Sequence, residues 1–120
     1  MKRNKPKFCV ILTEAVHEGL SSICPSIPSV VFFCLRKNGS VQSDNLVKDP
    51  EAFEEILNKI FGFGAKVIEK RILEVLYTKL QVPKEIEESF EFMEEVRNAE
   101  ELLNHTYMER PRQVAANPAI

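Results

Sequence analysis

Apolar residues in this chain recur mainly at helical spacing. The pattern is clearest after Asp49-Pro50, where Phe53, Ile56, Leu57, Ile60 and Phe61 fall at i, i+3, i+4, i+7 and i+8. Asp49 can accept from the free N–H groups of a first turn, and Pro50 suits the first helical position because its missing N–H is not needed there. Glu51 and Glu54 favour the positive end of the helix. Gly62 stops it, so a helix is predicted over Pro50–Phe61. Gly62-Phe63-Gly64 then reads as a tight connector. A second helix follows over Ala65–Leu80, with Ile68, Ile72, Val75, Leu76 and Leu80 on one face and Lys66, Lys70 and Glu74 on the other. Together they form an αα-hairpin whose apolar faces need a cover.

Residues 8–37 must supply that cover. Leu12, Ala15, Val16, Leu20 and Ile23 repeat the helical spacing, and Gly19 within them costs about 1 kcal/mol relative to Ala. The run Val30–Leu35 is ambiguous. Its β-branched and aromatic content, ending at Asn38-Gly39, suits a buried strand. By period, Ile27, Val30, Val31, Cys34 and Leu35 make a helical stripe. A lone strand would leave its backbone groups unsatisfied, so the expected fold is all-α: a compact bundle of about four to five short helices with a central αα-hairpin. The alternative is α+β, with a short strand or hairpin near Val30–Leu35. A last helix is expected from about Phe92 to His105, with a thin apolar face and a strongly acidic one.

This pattern divides the chain into a basic flexible start (1–7), a helical core (8–81), an acidic amphipathic extension (82–106) and a flexible tail (107–120). Charge follows the same division. Residues 1–48 hold seven basic and three acidic residues, whereas residues 49–120 hold nine basic and fifteen acidic ones. Lys2, Arg3, Lys5 and Lys7 open the chain, and Glu85–Glu101 carries eight glutamates against Arg97. With 120 residues, 44% of them hydrophobic, one small domain is expected. The six-residue apolar run Val30–Leu35 is far short of the roughly 20 residues a membrane helix needs. No basic start leads into an apolar stretch with a small-residue cleavage site. A cytoplasmic protein without membrane contact is therefore expected.

Candidate chemistry is sparse. Cys9, Cys24 and Cys34 form no C-x-x-C pair, and their apolar neighbours suggest buried small hydrophobes in a reducing compartment. His17 and His105 are too few for a histidine metal site. The glutamate-rich stretch has neither the Ca²⁺-loop arrangement nor the E-x-x-H of di-iron bundles. G-x-S-x-G, P-loop and H-E-x-x-H motifs are absent, and Gly62-Phe63-Gly64 lacks the third glycine and preceding strand of a dinucleotide loop. The expectation is a non-enzyme with no catalytic, metal or cofactor residues.

Several stretches resemble a known family: Glu14-Ala-Val-His-Glu-Gly-Leu-Ser-Ser, the apolar stretch Val30–Leu35, Asp49-Pro-Glu-Ala-Phe, and Ile60-Phe-Gly-Phe-Gly-Ala-Lys-Val-Ile-Glu-Lys-Arg-Ile. Over residues 13–82 the chain is similar to a small archaeal all-helical family, one of the "Nitrosopumilus output domains" associated with microbial signalling proteins. The resemblance implies an all-α module and carries no catalytic or ligand residues with it. The functional expectation is a non-catalytic helical protein-interaction or signalling output module, with a protein partner or a second copy as its target. Glu91, Glu94, Glu95, Phe63, Tyr77 and Phe90 are the candidate contact residues. The alternative is a small DNA-binding regulator using the Gly62–Gly64 helical hairpin, with Lys66, Lys70 and Arg71 on its second helix and the basic N-terminal arm on phosphates. Glu69 and Glu74 on that helix, and a pI of about 5.8, weigh against nucleic acid.

Overall fold

The computed structural model describes residues 8–39, 46–47 and 49–116, with side chains as far as residue 105. Among the described residues there are five α-helices: α1 (Phe8–Ile23), α2 (Ile27–Lys37), α3 (Pro50–Phe61), α4 (Ala65–Lys79) and α5 (Phe92–Ala116). No strand is present among the described residues. Val30–Leu35 is helical, within α2.

The ends of α3 follow the local signals. Asp49 Oδ1 accepts from the Ala52 N–H at 3.3 Å, and Gly62 closes the helix at φ 57°, which glycine adopts without steric cost. Gly62–Gly64 form one 3₁₀ turn leading directly into α4. At its far end α4 closes through Gln81, a non-glycine residue at φ 64°, with the Val82 N–H reaching the Tyr77 carbonyl at 3.0 Å.

The most extensive packing joins α4 to α1. The two run antiparallel: Lys79 at the end of α4 reaches Glu18 at 2.6 Å, while Arg71, in the middle of α4, reaches Ser22 Oγ, further along α1, at 3.1 Å. Gly19 lies in this interface, against Ile72. A Cβ there would sit 2.8 Å from Ile72 Cγ1 and 3.0 Å from Ile72 Cα. The glycine that weakens α1 as an isolated helix is what admits the backbone of α4. Leu12, Ala15, Val16 and Leu20 of α1 and Ile68, Ile72, Leu73 and Leu76 of α4 are buried. The α3 side chains Phe53, Ile56 and Leu57 join them in one cluster.

Residues 82–105 contribute side chains to that core. Ile86, Phe90, Phe92, Val96 and Ala99 are buried in the same cluster, and Phe92 meets Phe53 with ring centroids 6.0 Å apart. Helix α5 continues past Pro111 to Ala116. The basic start 1–7 and residues 117–120 lie outside the described residues. Thr13 ties in the α2–α3 connection: its Oγ1 donates to the Cys9 carbonyl at 2.7 Å and accepts from the Val47 N–H at 2.8 Å.

Candidate functional site

Helix α2 carries more apolar side chains than one face can bury. Pro28, Val31, Phe32 and Leu35, at i, i+3, i+4 and i+7, turn inward. The helix is thus rotated from the expected stripe of Ile27, Val30, Val31, Cys34 and Leu35. Val30 and Phe33 are left outside, 51% and 55% exposed, and Cys34 lies at the boundary. Helix α3, packed beside α2, buries Ile56 but leaves Ile60 at its edge. Between the two helices lies an open groove of about 360 Å³. Phe33, Cys34, Ile56 and Ile60 form its apolar lining, with Lys37 from α2 and Lys59 from α3. Lys37 Nζ stands 5.6 Å from the Phe33 ring centroid. Contiguous exposed apolar surface with a polar rim is the usual mark of an interaction site.

The expected contact residues divide. Phe63, at the tip of the 3₁₀ turn, is fully exposed, and Glu91 and Glu94 face solvent. Tyr77 and Phe90 are buried, so neither is a surface contact: both complete the core beneath α5. Tyr77 Oη donates to Glu95 Oε1 at 2.8 Å and lies 3.1 Å from the Glu95 carbonyl. Lys84 Nζ donates to the same carboxylate oxygen at 2.8 Å and stands 5.1 Å from the Tyr77 ring centroid. Burial pushes the Glu95 carboxyl up, but the bonds from Lys84 and Tyr77 outweigh it and hold the group below the usual carboxylate range. Glu95 is therefore a clamp between α4 and α5 rather than part of an open acidic face.

Glu69 weighed against nucleic acid as a charge on the would-be DNA-reading helix. It is instead 1% exposed, and its Oε1 has no hydrogen-bond partner. Burial raises its pKa to about 7; Glu54 on α3 adds to the rise and Lys66 opposes it. Glu54 is itself raised, chiefly by burial, with Lys66 opposing and Glu91 and Glu51 adding. Lys66 is held nearby, its Nζ 2.9 Å from the Phe90 carbonyl and 4.1 Å from the Phe90 ring centroid. Among the described residues, no group of three or more His, Cys, Asp or Glu side chains could hold a metal ion.

The remaining titratable groups are placed structurally. His17 stacks on Phe32 with centroids 4.4 Å apart. The three cysteines are half-buried rather than in the core. A hydrogen bond with Ser26, whose Oγ is 3.4 Å from Sγ, holds the Cys24 thiol below its ordinary pKa. Compared with known proteins, the chain matches no family model, no curated protein and no solved structure.

The cations proposed for a DNA-reading helix already have partners. Lys66 bonds the Phe90 carbonyl, Lys70 reaches Glu88 at 3.2 Å, and Arg71 reaches both Ser22 and Glu74. Lys70 therefore bridges to residue 88 rather than forming an i,i+4 pair with Glu74. No described helix is long and apolar enough to cross a membrane. Sequence reasoning missed the α2–α3 groove, although one signal was present: six consecutive apolar residues in a helix exceed what a single buried stripe can use.

Proposed function

We propose that this chain is a non-catalytic helical protein-interaction module, of the output or adaptor kind, with the α2–α3 groove as its contact surface. The observation that carries this reading is the placement of Phe33. A large aromatic side chain stays more than half exposed beside an apolar groove, while the core beneath it is closed by other residues. Burying such a side chain against a partner is worth roughly 1.5–3 kcal/mol. The resemblance to the helical output-domain family agrees with this role, and a cytoplasmic setting fits it. The nucleic-acid alternative would have to draw Lys66, Lys70 and Arg71 away from their present partners.

The test is capture from an extract of the source cells by the tagged full chain, with and without nuclease, beside a Phe33→Asp variant. The reading expects a protein captured in the presence of nuclease by the parent chain and lost from the variant. Capture that vanishes with nuclease would instead support the DNA-binding alternative. Capture indifferent to Phe33→Asp would remove the groove from the function.

A further inference from the structure

We infer that the partner segment seated in the α2–α3 groove is an acidic amphipathic helix, with carboxylates flanking its apolar side chains on both sides. This rests on the interaction-module reading and adds the chemistry of the partner. The supporting contrast lies in the lysines. Among the described residues, Lys66, Lys70, Lys79 and Lys84 each bond an oxygen of this chain. Lys37 and Lys59 bond none, and these two line the groove, one from each helix. Their place in the last turns of α2 and α3 complements the negative helix ends. That role explains the charges but not the exposed Phe33 and Ile60 between them.

A groove between two helices with apolar lining and cationic sides matches the helix-in-groove mode, in which side chains at i and i+3 or i+4 anchor an amphipathic helix. Carboxylates outside those anchors would meet Lys37 on one side and Lys59 on the other, steering association and fixing orientation. A second copy suits the groove less well. Two grooves face to face would bring like charges together. The chain's own acidic segment has already buried Ile86, Phe90, Phe92, Val96 and Ala99 in its core, which leaves few described apolar side chains to serve as anchors. The groove is also open rather than enclosed, which favours a polypeptide over a small apolar ligand.

A displayed library of random helical peptides, selected on the immobilised full chain, provides the probe. Enriched peptides are synthesised with a fluorescent label and titrated by anisotropy at low and physiological salt. Acidic residues should flank two apolar anchors. Binding should weaken about tenfold with Lys59→Glu, and similarly with Lys37→Glu. It should be lost with Phe33→Asp and weaken in salt. Bound peptide should also protect Cys34, but not Cys24, from alkylation as read by mass spectrometry. Far-UV circular dichroism of each variant checks the fold, and Lys37→Gln and Lys59→Gln replace any reversal that unfolds.

Neutral or basic peptides that need Phe33 but ignore both lysines would overturn the acidic inference and leave the interaction module standing. Peptides that bind Phe33→Asp unchanged, or no enrichment at all, would overturn both. A dimer in sedimentation velocity that Phe33→Asp dissociates would assign the groove to a second copy. A fluorescent long-chain carboxylate that displaces the peptides would assign it to a small amphipath. Either result also overturns the inference.

Discussion

Glu69 makes the packing of α3 against α4 measurable through pH. Its carboxyl titrates at about 7 in the folded chain and near 4.5 when unfolded. Between those values the folded chain keeps a proton that the unfolded chain has released. A raised carboxyl therefore favours the folded state at low pH, and that advantage disappears as pH climbs from 4.5 through 7. The whole effect is about 3 kcal/mol, of which about 2.5 kcal/mol falls between pH 5 and pH 8. Against a total stability of roughly 5–15 kcal/mol this is a large fraction. Urea unfolding followed by far-UV circular dichroism, at pH 5 and at pH 8, reads it directly. Glu69→Gln keeps the shape and removes the titration. The groups that act on Glu69, Glu54 from α3 and Lys66 from its own helix, remain in both proteins, as does Glu91, which acts on Glu54. The parent should therefore lose about 2.5 kcal/mol more than the variant from pH 5 to pH 8. Two parallel pH profiles would show that Glu69 ionises normally in the folded chain, and the burial argument would fail.

Three further outcomes test other contacts. Gly19→Ala should destabilise by about 1–3 kcal/mol in thermal or urea unfolding, because its Cβ would press on Ile72 Cγ1 and, just behind it, on the Ile72 backbone; unchanged or higher stability would show that the α1–α4 contact is looser than described. Gln81→Gly should stabilise by about 1 kcal/mol, since glycine holds φ 64° without the Cβ clash; a loss on urea unfolding would mean the strain at this helix end is already relieved. Tyr77→Phe should cost about 1.5–3 kcal/mol at pH 7 by removing the bond to the Glu95 carboxylate. That cost should shrink as pH falls through the lowered Glu95 pKa, because protonation removes the charged acceptor; a cost that stays constant with pH would refute the charge-assisted bond.

The existence of the helices was legible because each depends on signals a few residues apart. Asp49-Pro50 and Gly62 bound α3, and its single apolar stripe leaves little choice of buried face. Their rotation and partners were less legible. In α2 the apolar run offers several adjacent stripes, and only packing against α1 and α3 selects Pro28, Val31, Phe32 and Leu35. Gly19 looked like a local weakness because helix propensity ignores the neighbouring backbone, yet a Cβ there would run into Ile72 of α4. Glutamate as a marker of solvent failed at Glu69, where the surrounding apolar packing closes over a carboxyl that can keep its proton. Glu95, less deeply buried, meets its burial with Lys84 and Tyr77, so the two carboxyls shift in opposite directions.

The ambiguity of α2 and the candidate site have one physical cause. A helix with just enough apolar residues for one stripe declares its buried face in its sequence and leaves nothing outside. Helix α2 exceeds that number, so its period cannot fix its rotation, and whichever stripe the core takes leaves large apolar side chains in water. Folding alone gives no reason to keep Val30 and Phe33 apolar once Val31, Phe32 and Leu35 have closed the core. For Phe33, its position in a groove edged by Lys37 and Lys59, whose side chains bond no oxygen of the described residues, supplies one. The residues that defeat a reading of the fold from periodicity are thus the ones through which this surface can hold a partner.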